Sequence, residues 1–210
     1  MKNIKFSALL LAMALVLTFN TYSSSDKEDV YNKLAAKFGS AKTFYAKFSQ
    51  SGNKTLRGTI TAVRGGKYIL EFGNRTIYCN GENVWNYSIA DKSVVISKYD
   101  RNSGDFRLED IFFEFLDKYT PAKLTSERSS NGRSSLVLKI EPKVSSNSYS
   151  GIASIEIGLA SDSQTIQFVR VNRAGNVSIW EIQNLIVNKN IPDKSFEFIP
   201  PEGVKVIDLR

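Results

Sequence analysis

"VRGGKYILEF", residues 63–72, carries the decision about the fold. Tyr68, Leu70 and Phe72 occupy alternate positions, and residues two apart in a strand share a face. One face is therefore large, apolar and partly aromatic, while its reverse carries Ile69 and Glu71. Gly65-Gly66 ahead of it is a tight-turn signal. Such a face either packs into a core or lines a ligand cavity, and periodicity alone supports both.

The same alternation extends in both directions. "TFYAKFSQ", "LRGTITAV", "RTIYC", "NVWNYSI" and "SVVISKY" surround the opening strand, separated by "SGN", "GN", "NGE" and "AD". That succession predicts antiparallel hairpins in a meander. A second block follows with "SSLVLKI", "ASIEIGLA", "TIQFVRV", "VSIWEIQNLIV" and "KSFEFIPP". Two helices interrupt the pattern. "DKEDVYNKLAAKFGSAK" spaces Val30, Leu34 and Phe38 four apart and stops at Gly39. "DFRLEDIFFEFLDKYTP" places Leu108, Ile111, Phe112, Phe115, Leu116 and Tyr119 on one stripe, with Asp105 to cap it, Pro121 beyond its end and Phe113 adding a further ring. About eleven strands and two helices in residues 26–210 predict a mainly β (α+β) domain: a single large antiparallel sheet, since sheets beyond about ten strands curl or split. A curled sheet has a concave side, and the aromatic helix between the two strand blocks is placed to cover it.

Residues 1–25 stand apart from that domain. Lys2 and Lys5 precede the apolar run "FSALLLAMALVLTF", which is short for a bilayer span, and "NTYSSS" follows. This predicts a cleaved secretory signal, with Thr21 and Ser23, or else Ser25, before the cut. Its removal lowers the formal charge from +7 to +5, and the remaining charges alternate in sign along the chain. That mixture argues against nucleic-acid binding. Cys79 is the only cysteine, so no intramolecular disulfide forms and stability rests on packing; its expected role is a small buried hydrophobe.

The chain has no histidine, which removes histidine-based acid-base and nucleophilic catalysis and HExxH zinc sites. One cysteine excludes cysteine-rich metal centres, and no glycine-rich phosphate loop occurs. No metal or other cofactor is expected. Acidic residues are plentiful, but none stands out as a catalytic pair. The sequence favours a binder over an enzyme.

The residues also carry a likeness. "FSQ" at 48–50, Gly58 opening "GTITAVR", Arg64, "CNGENVWNY" with Gly81, Trp85 and Tyr87, and the ending "FEFIPPEGVKVIDLR" together resemble the periplasmic lipoprotein carrier family, LolA, along nearly all of the chain after the signal. The resemblance implies an incomplete, curved antiparallel β-barrel whose concave hydrophobic cavity is covered by helices. It implies a monomeric periplasmic carrier that shields the acyl chains of lipoproteins between an inner-membrane ABC-type release complex and an outer-membrane receptor. Phe48, Ile60, Tyr68, Leu70 and Phe72, with Leu108, Ile111, Phe112, Phe115 and Leu116 of the covering helix, then become the cavity lining. Arg64 matches the arginine that latches the helical lid. Where the family carries Arg-Pro this chain has Arg64-Gly65, which predicts a looser turn. The sister receptor family is anchored through a cysteine after its signal, which this chain lacks. The rival readings are an envelope lipid-sensing module, a carrier of another small hydrophobic ligand and a carboxylate-dependent hydrolase.

Overall fold

The computed structural model describes residues 22–51, 55–100, 113, 118–128, 132, 134–143, 151–160 and 165–210. Helix α1 (Ser24–Gly39) opens on a capping box: the Ser23 hydroxyl accepts from the Asp26 N–H and the Asp26 carboxylate accepts from the Ser23 N–H. A cut after Ser25 would remove that cap. Val30, Leu34 and Phe38 are buried, as their spacing predicts. Among the described residues no helix is long and apolar enough to cross a membrane.

Twelve strands then form one sheet. They are β1 (Thr43–Ser51), β2 (Leu56–Val63), β3 (Lys67–Phe72), β4 (Arg75–Asn80), β5 (Asn83–Ser88), β6 (Ser93–Lys98), β7 (Tyr119–Arg128), β8 (Ser134–Pro142), β9 (Ile152–Leu159), β10 (Ile166–Arg173), β11 (Asn176–Val187) and β12 (Lys205–Asp208). Their spatial order is β12-β6-β5-β4-β3-β2-β1-β11-β10-β9-β8-β7, so the two blocks meet where β1 pairs with β11. β7 and β12 each pair with a single neighbour. The result is a curved, open sheet: an incomplete β-barrel.

Three details depart from the sequence reading. "KSFEFIPP" is not a strand: Asp193–Phe196 is a 3-10 turn, followed by an extended arm across the outer face. Pro200 and Pro201 have no N–H for a ladder, and the alternating rings serve packing instead, with Phe196 fully buried and Phe198 against Tyr78 and Tyr87 at 4.9 and 5.0 Å. "KVID" is a strand, β12, and it pairs with β6 in parallel because this arm returns it to the sheet edge. Tyr119 and Pro121 belong to β7 rather than to the end of a helix. Proline is tolerated there because β7 is an edge strand.

One face collects the apolar residues. Phe44, Ala46 and Phe48 on β1 lie opposite Ala62, Ile60 and Gly58 on β2, which lie opposite Tyr68, Leu70 and Phe72 on β3. Across the other seam this inner face continues through Ile182, Val169, Ile157, Leu138 and Leu124. Helix α1 packs on the β7-β8 end of the same cluster. There the Tyr31 hydroxyl donates to the Tyr119 carbonyl at 2.9 Å and Lys27 Nζ donates to the Ala122 carbonyl at 3.3 Å. Gly58 is required by close approach: a Cβ there would sit 2.2 Å from the Glu71 carbonyl oxygen and 2.8 Å from the Phe48 ring.

Leu34, 1% exposed between helix and sheet, marks how α1 is held. Leu34→Ala should cost about 2–5 kcal/mol in denaturant unfolding. Asp29→Ala, which removes only the exposed Asp29–Lys33 pair, should cost about 0.5 kcal/mol or less.

Candidate functional site

The β2-β3 turn positions Arg64. Its N–H donates to the Lys42 carbonyl at 2.8 Å, and the Gly66 N–H donates to the Val63 carbonyl at 3.3 Å. Gly65 and Gly66 take φ of +110° and +99°, a path that β-carbon-bearing residues rarely follow. The Arg-Gly pair therefore makes a defined turn, anchored at the arginine's own backbone.

From that turn the guanidinium reaches four carbonyls. Nε donates to Ala41 at 3.0 Å, Nη1 to Phe113 at 3.1 Å, and Nη2 to Phe38 at 2.9 Å and Gly39 at 3.2 Å. Phe38 and Gly39 close α1, whose last carbonyls have no partner within the helix and carry the negative end of its dipole. The same guanidinium lies 4.9 Å from the centre of the Phe113 ring, and Phe113 meets Phe44 at 5.1 Å. One side chain thus joins the end of α1, the β2-β3 turn and Phe113. A lysine could not do so, because it lacks the planar five-donor fork.

Of the expected cavity residues, Phe48 and Ile60 are buried in the core cluster. Tyr68 and Leu70 are half-buried and pack against it, and Phe72 is half-buried on the same face. Leu108, Ile111, Phe112, Phe115 and Leu116 lie outside the described residues, as does Asp105. Cys79 is fully buried opposite Tyr68, its thiol donating to the Gly66 carbonyl at 3.1 Å.

Two cavities open elsewhere on the second strand block, and neither is lined by Tyr68, Leu70 or Phe72. One, of about 570 Å³, lies between Lys37 of α1 and the Ile166 and Leu185 ends of β10 and β11, with mixed polar and apolar walls. The other, of about 350 Å³, lies at the opposite rim, against the β10-β11 hairpin, and is lined by Val171, Arg173, Ala174, Asn176, Ser178 and Trp180. Trp180 also meets Phe48 edge-on at 5.4 Å, so this cavity adjoins the aromatic part of the inner face. Tyr119 stands at the same rim. It is fully buried, its hydroxyl has no hydrogen-bond partner among the described residues, and burial pushes its pKa up to about 12 against a downward pull from Arg173. Sequence reasoning misses this rim: the spacing of Tyr119 reads as part of a helix stripe, and an arginine beside a hairpin turn gives no signal of its own.

Neither a family model nor a curated protein sequence matches this chain. Solved structures resemble it in fold. An uncharacterized conserved protein from Thermus thermophilus is 12% identical over 87% of this chain and 99% of its own, with a TM-score of 0.53. A putative outer membrane lipoprotein-sorting protein domain from Vibrio parahaemolyticus is 14% identical over 83% of this chain and 97% of its own, at 0.47. The Mycobacterium tuberculosis lipoprotein LppX is 11% identical over 81% and 99%, also at 0.47.

Arg64→Leu should leave the carbonyls of Phe38, Gly39 and Phe113 without their charged donor. Because the side chain is exposed, the expected cost is modest, about 1–2 kcal/mol. Amide exchange should accelerate in the last turn of α1 and not in β8 or β9. Tyr119 sets an alkaline limit. Its neutral form is favoured in the folded state, so the unfolded chain releases the proton first, and stability should fall as pH rises from about 10 to about 12. Denaturant midpoints across that window should show the decline, and Tyr119→Phe should lessen it.

Proposed function

We propose that this protein carries acylated ligands outside the cytoplasm, shielding their chains against the inner face of its open sheet, and binds its cargo without transforming it. The observation that carries this reading is the Arg64 network. A single cation fastens the end of α1 and Phe113 to the rim of an apolar sheet, an arrangement that holds a cover closed and can be undone one hydrogen-bonding group at a time. The resemblance of "GTITAVR", "CNGENVWNY" and the C-terminal ending to the lipoprotein carriers supports lipoproteins as the cargo and the periplasm as the compartment. In that case the donor is an inner-membrane release complex and the acceptor an outer-membrane receptor.

The energetics set what such a carrier must do. Burying an acyl chain is worth about 0.8 kcal/mol per methylene, on the order of 10 kcal/mol for a whole chain. The inner face must supply comparable apolar contact and still release the chain to a receptor. A closed state stabilised by Arg64 helps, because ligand entry then disrupts contacts whose re-formation favours release. Loading and unloading are balanced by one latch.

The test is release of lipoproteins from inner-membrane vesicles by the purified protein, with native mass spectrometry to identify what it holds. Wild-type protein should bring lipoproteins into solution. Leu70→Glu should lose most of that activity while its unfolding midpoint changes little, and Arg64→Leu should load more readily and unload more slowly. If neither rate changes in folded Arg64→Leu, Arg64 is not a latch. If Leu70→Glu simply unfolds, that face is core and not a cargo surface.

A further inference from the structure

The rim cavity between β10 and β11 combines features that a purely apolar lining would not require. Val171 and Trp180 supply an apolar wall continuous with the inner face, whereas Arg173, Asn176 and Ser178 bring a cation and hydrogen-bonding groups to its mouth. The register places these groups together. Arg173 pairs with Asn176 across the hairpin and with Ile152 on β9, and Val171 pairs with Ser178. Tyr119, opposite Pro142 at the start of β7, lies at this same end of the sheet, near enough for the Arg173 charge to act on its hydroxyl.

Two costs accumulate at this place. The fully buried Tyr119 hydroxyl lacks a partner among the described residues, and a polar group taken out of water without a new hydrogen bond carries its whole desolvation penalty. Ala174, in the hairpin turn that forms the cavity mouth, takes φ of +48°, a left-handed conformation disfavoured for a residue with a β-carbon. Glycine or asparagine would fit the turn with less strain. Unsatisfied polar groups and local strain gather where the surrounding structure holds a geometry for a ligand.

We propose that this rim is a head-group site, where Arg173, with Asn176 and Ser178 beside it, receives the carboxylate or phosphate oxygens of an anionic lipid whose acyl chain lies along Val171 and Trp180. The proposal rests on the acyl-carrier reading above and narrows its cargo. Arginine offers a planar fork suited to both oxyanions, and the Asn176 amide and Ser178 hydroxyl can donate to a further oxygen. A diacylated lipoprotein would bring neutral ester oxygens and a cationic amine here, but no anionic head group. Preference for a charged head therefore separates free anionic lipid from lipoprotein as the ligand of this rim.

The experiment compares ligands matched in chain length, by titration calorimetry below their micelle concentrations on the full mature chain. Palmitate is set against hexadecanol, and 1-palmitoyl lysophosphatidate against 1-palmitoylglycerol, with inorganic phosphate alone as a third arm. In at least one pair the wild type should prefer the anionic ligand about tenfold, and that pair identifies the oxyanion. Arg173→Gln should abolish the preference and leave the neutral ligand's affinity unchanged, and Arg173→Lys should retain part of it. Equal binding of charged and neutral ligands by the wild type, or an unchanged preference in Arg173→Gln, overturns the head-group site while acyl binding stands. Inorganic phosphate binding as tightly as the lysophosphatidate also overturns it, since the site would then be for a free anion. Failure of all four long-chain ligands to bind overturns the head-group site, while the carrier reading is decided separately by lipoprotein release from vesicles.

Discussion

A strand turns alternate side chains to opposite faces, and this sheet must nevertheless deliver its apolar residues to a single inner face across strands of unequal length. Bulges reconcile the two demands. In β11 the register against β1 slips between the Ile186 and Gln183 pairs, so Trp180 and Ile182 face inward before the slip and Leu185 and Val187 after it. Extra residues in β7, β9 and β10 have the same effect, carrying Leu124, Ile152 and Ile166 into the core. Each bulge also bends its strand, so the device that collects the core also curves the sheet. The half-buried Ala122 carbonyl at the β7 bulge is taken up by Lys27 of α1.

Curvature without closure leaves two edges to protect. β12 covers the far side of β6 in parallel, and the arm that leads to it packs Phe196 and Phe198 on the outer face of the first block, assisted by the Lys67–Asp193 pair at 3.0 Å. At the other edge β7 carries Pro121, and Glu127 with Glu156 flanks Arg170 on the outer face of the second block. That pairing holds the Glu127 carboxyl below its usual range, chiefly through the Arg170 hydrogen bond. Its side chains are partly solvated, so it adds little to stability. Both outer surfaces are occupied by local partners, and the inner face is where the apolar side chains converge.

Much of this is legible in the sequence because it rests on period and punctuation. Val30, Leu34 and Phe38 mark α1, and Gly-Gly, Asn-Gly and Asp-containing turns mark the hairpins. The parallel β12 is not legible, since four exposed residues pair through backbone groups alone and leave no alternation to read. "FEFIP" misleads for the converse reason: its alternating rings meet tyrosines on another element, not a core across a ladder. Arg64 stands out through likeness, and its four acceptors are backbone carbonyls, which no residue identity announces. Tyr119 and Arg173 lie far apart in the chain and stand at one rim only because β8 and β9 bring their strand ends together.

The two ends of the inner face consequently differ in chemistry. At the end where β1 begins, Arg64 has its donors committed to carbonyls of Ala41, α1 and Phe113, and the cation fastens these elements together. At the end where β10 turns into β11, Arg173 lines a cavity with an apolar wall, and its charge pulls against the rise that burial gives the Tyr119 pKa. An acyl ligand is polar at one end only, so a sheet with Arg64 fastening one rim and the proposed head-group site at the other would give its ligand a direction.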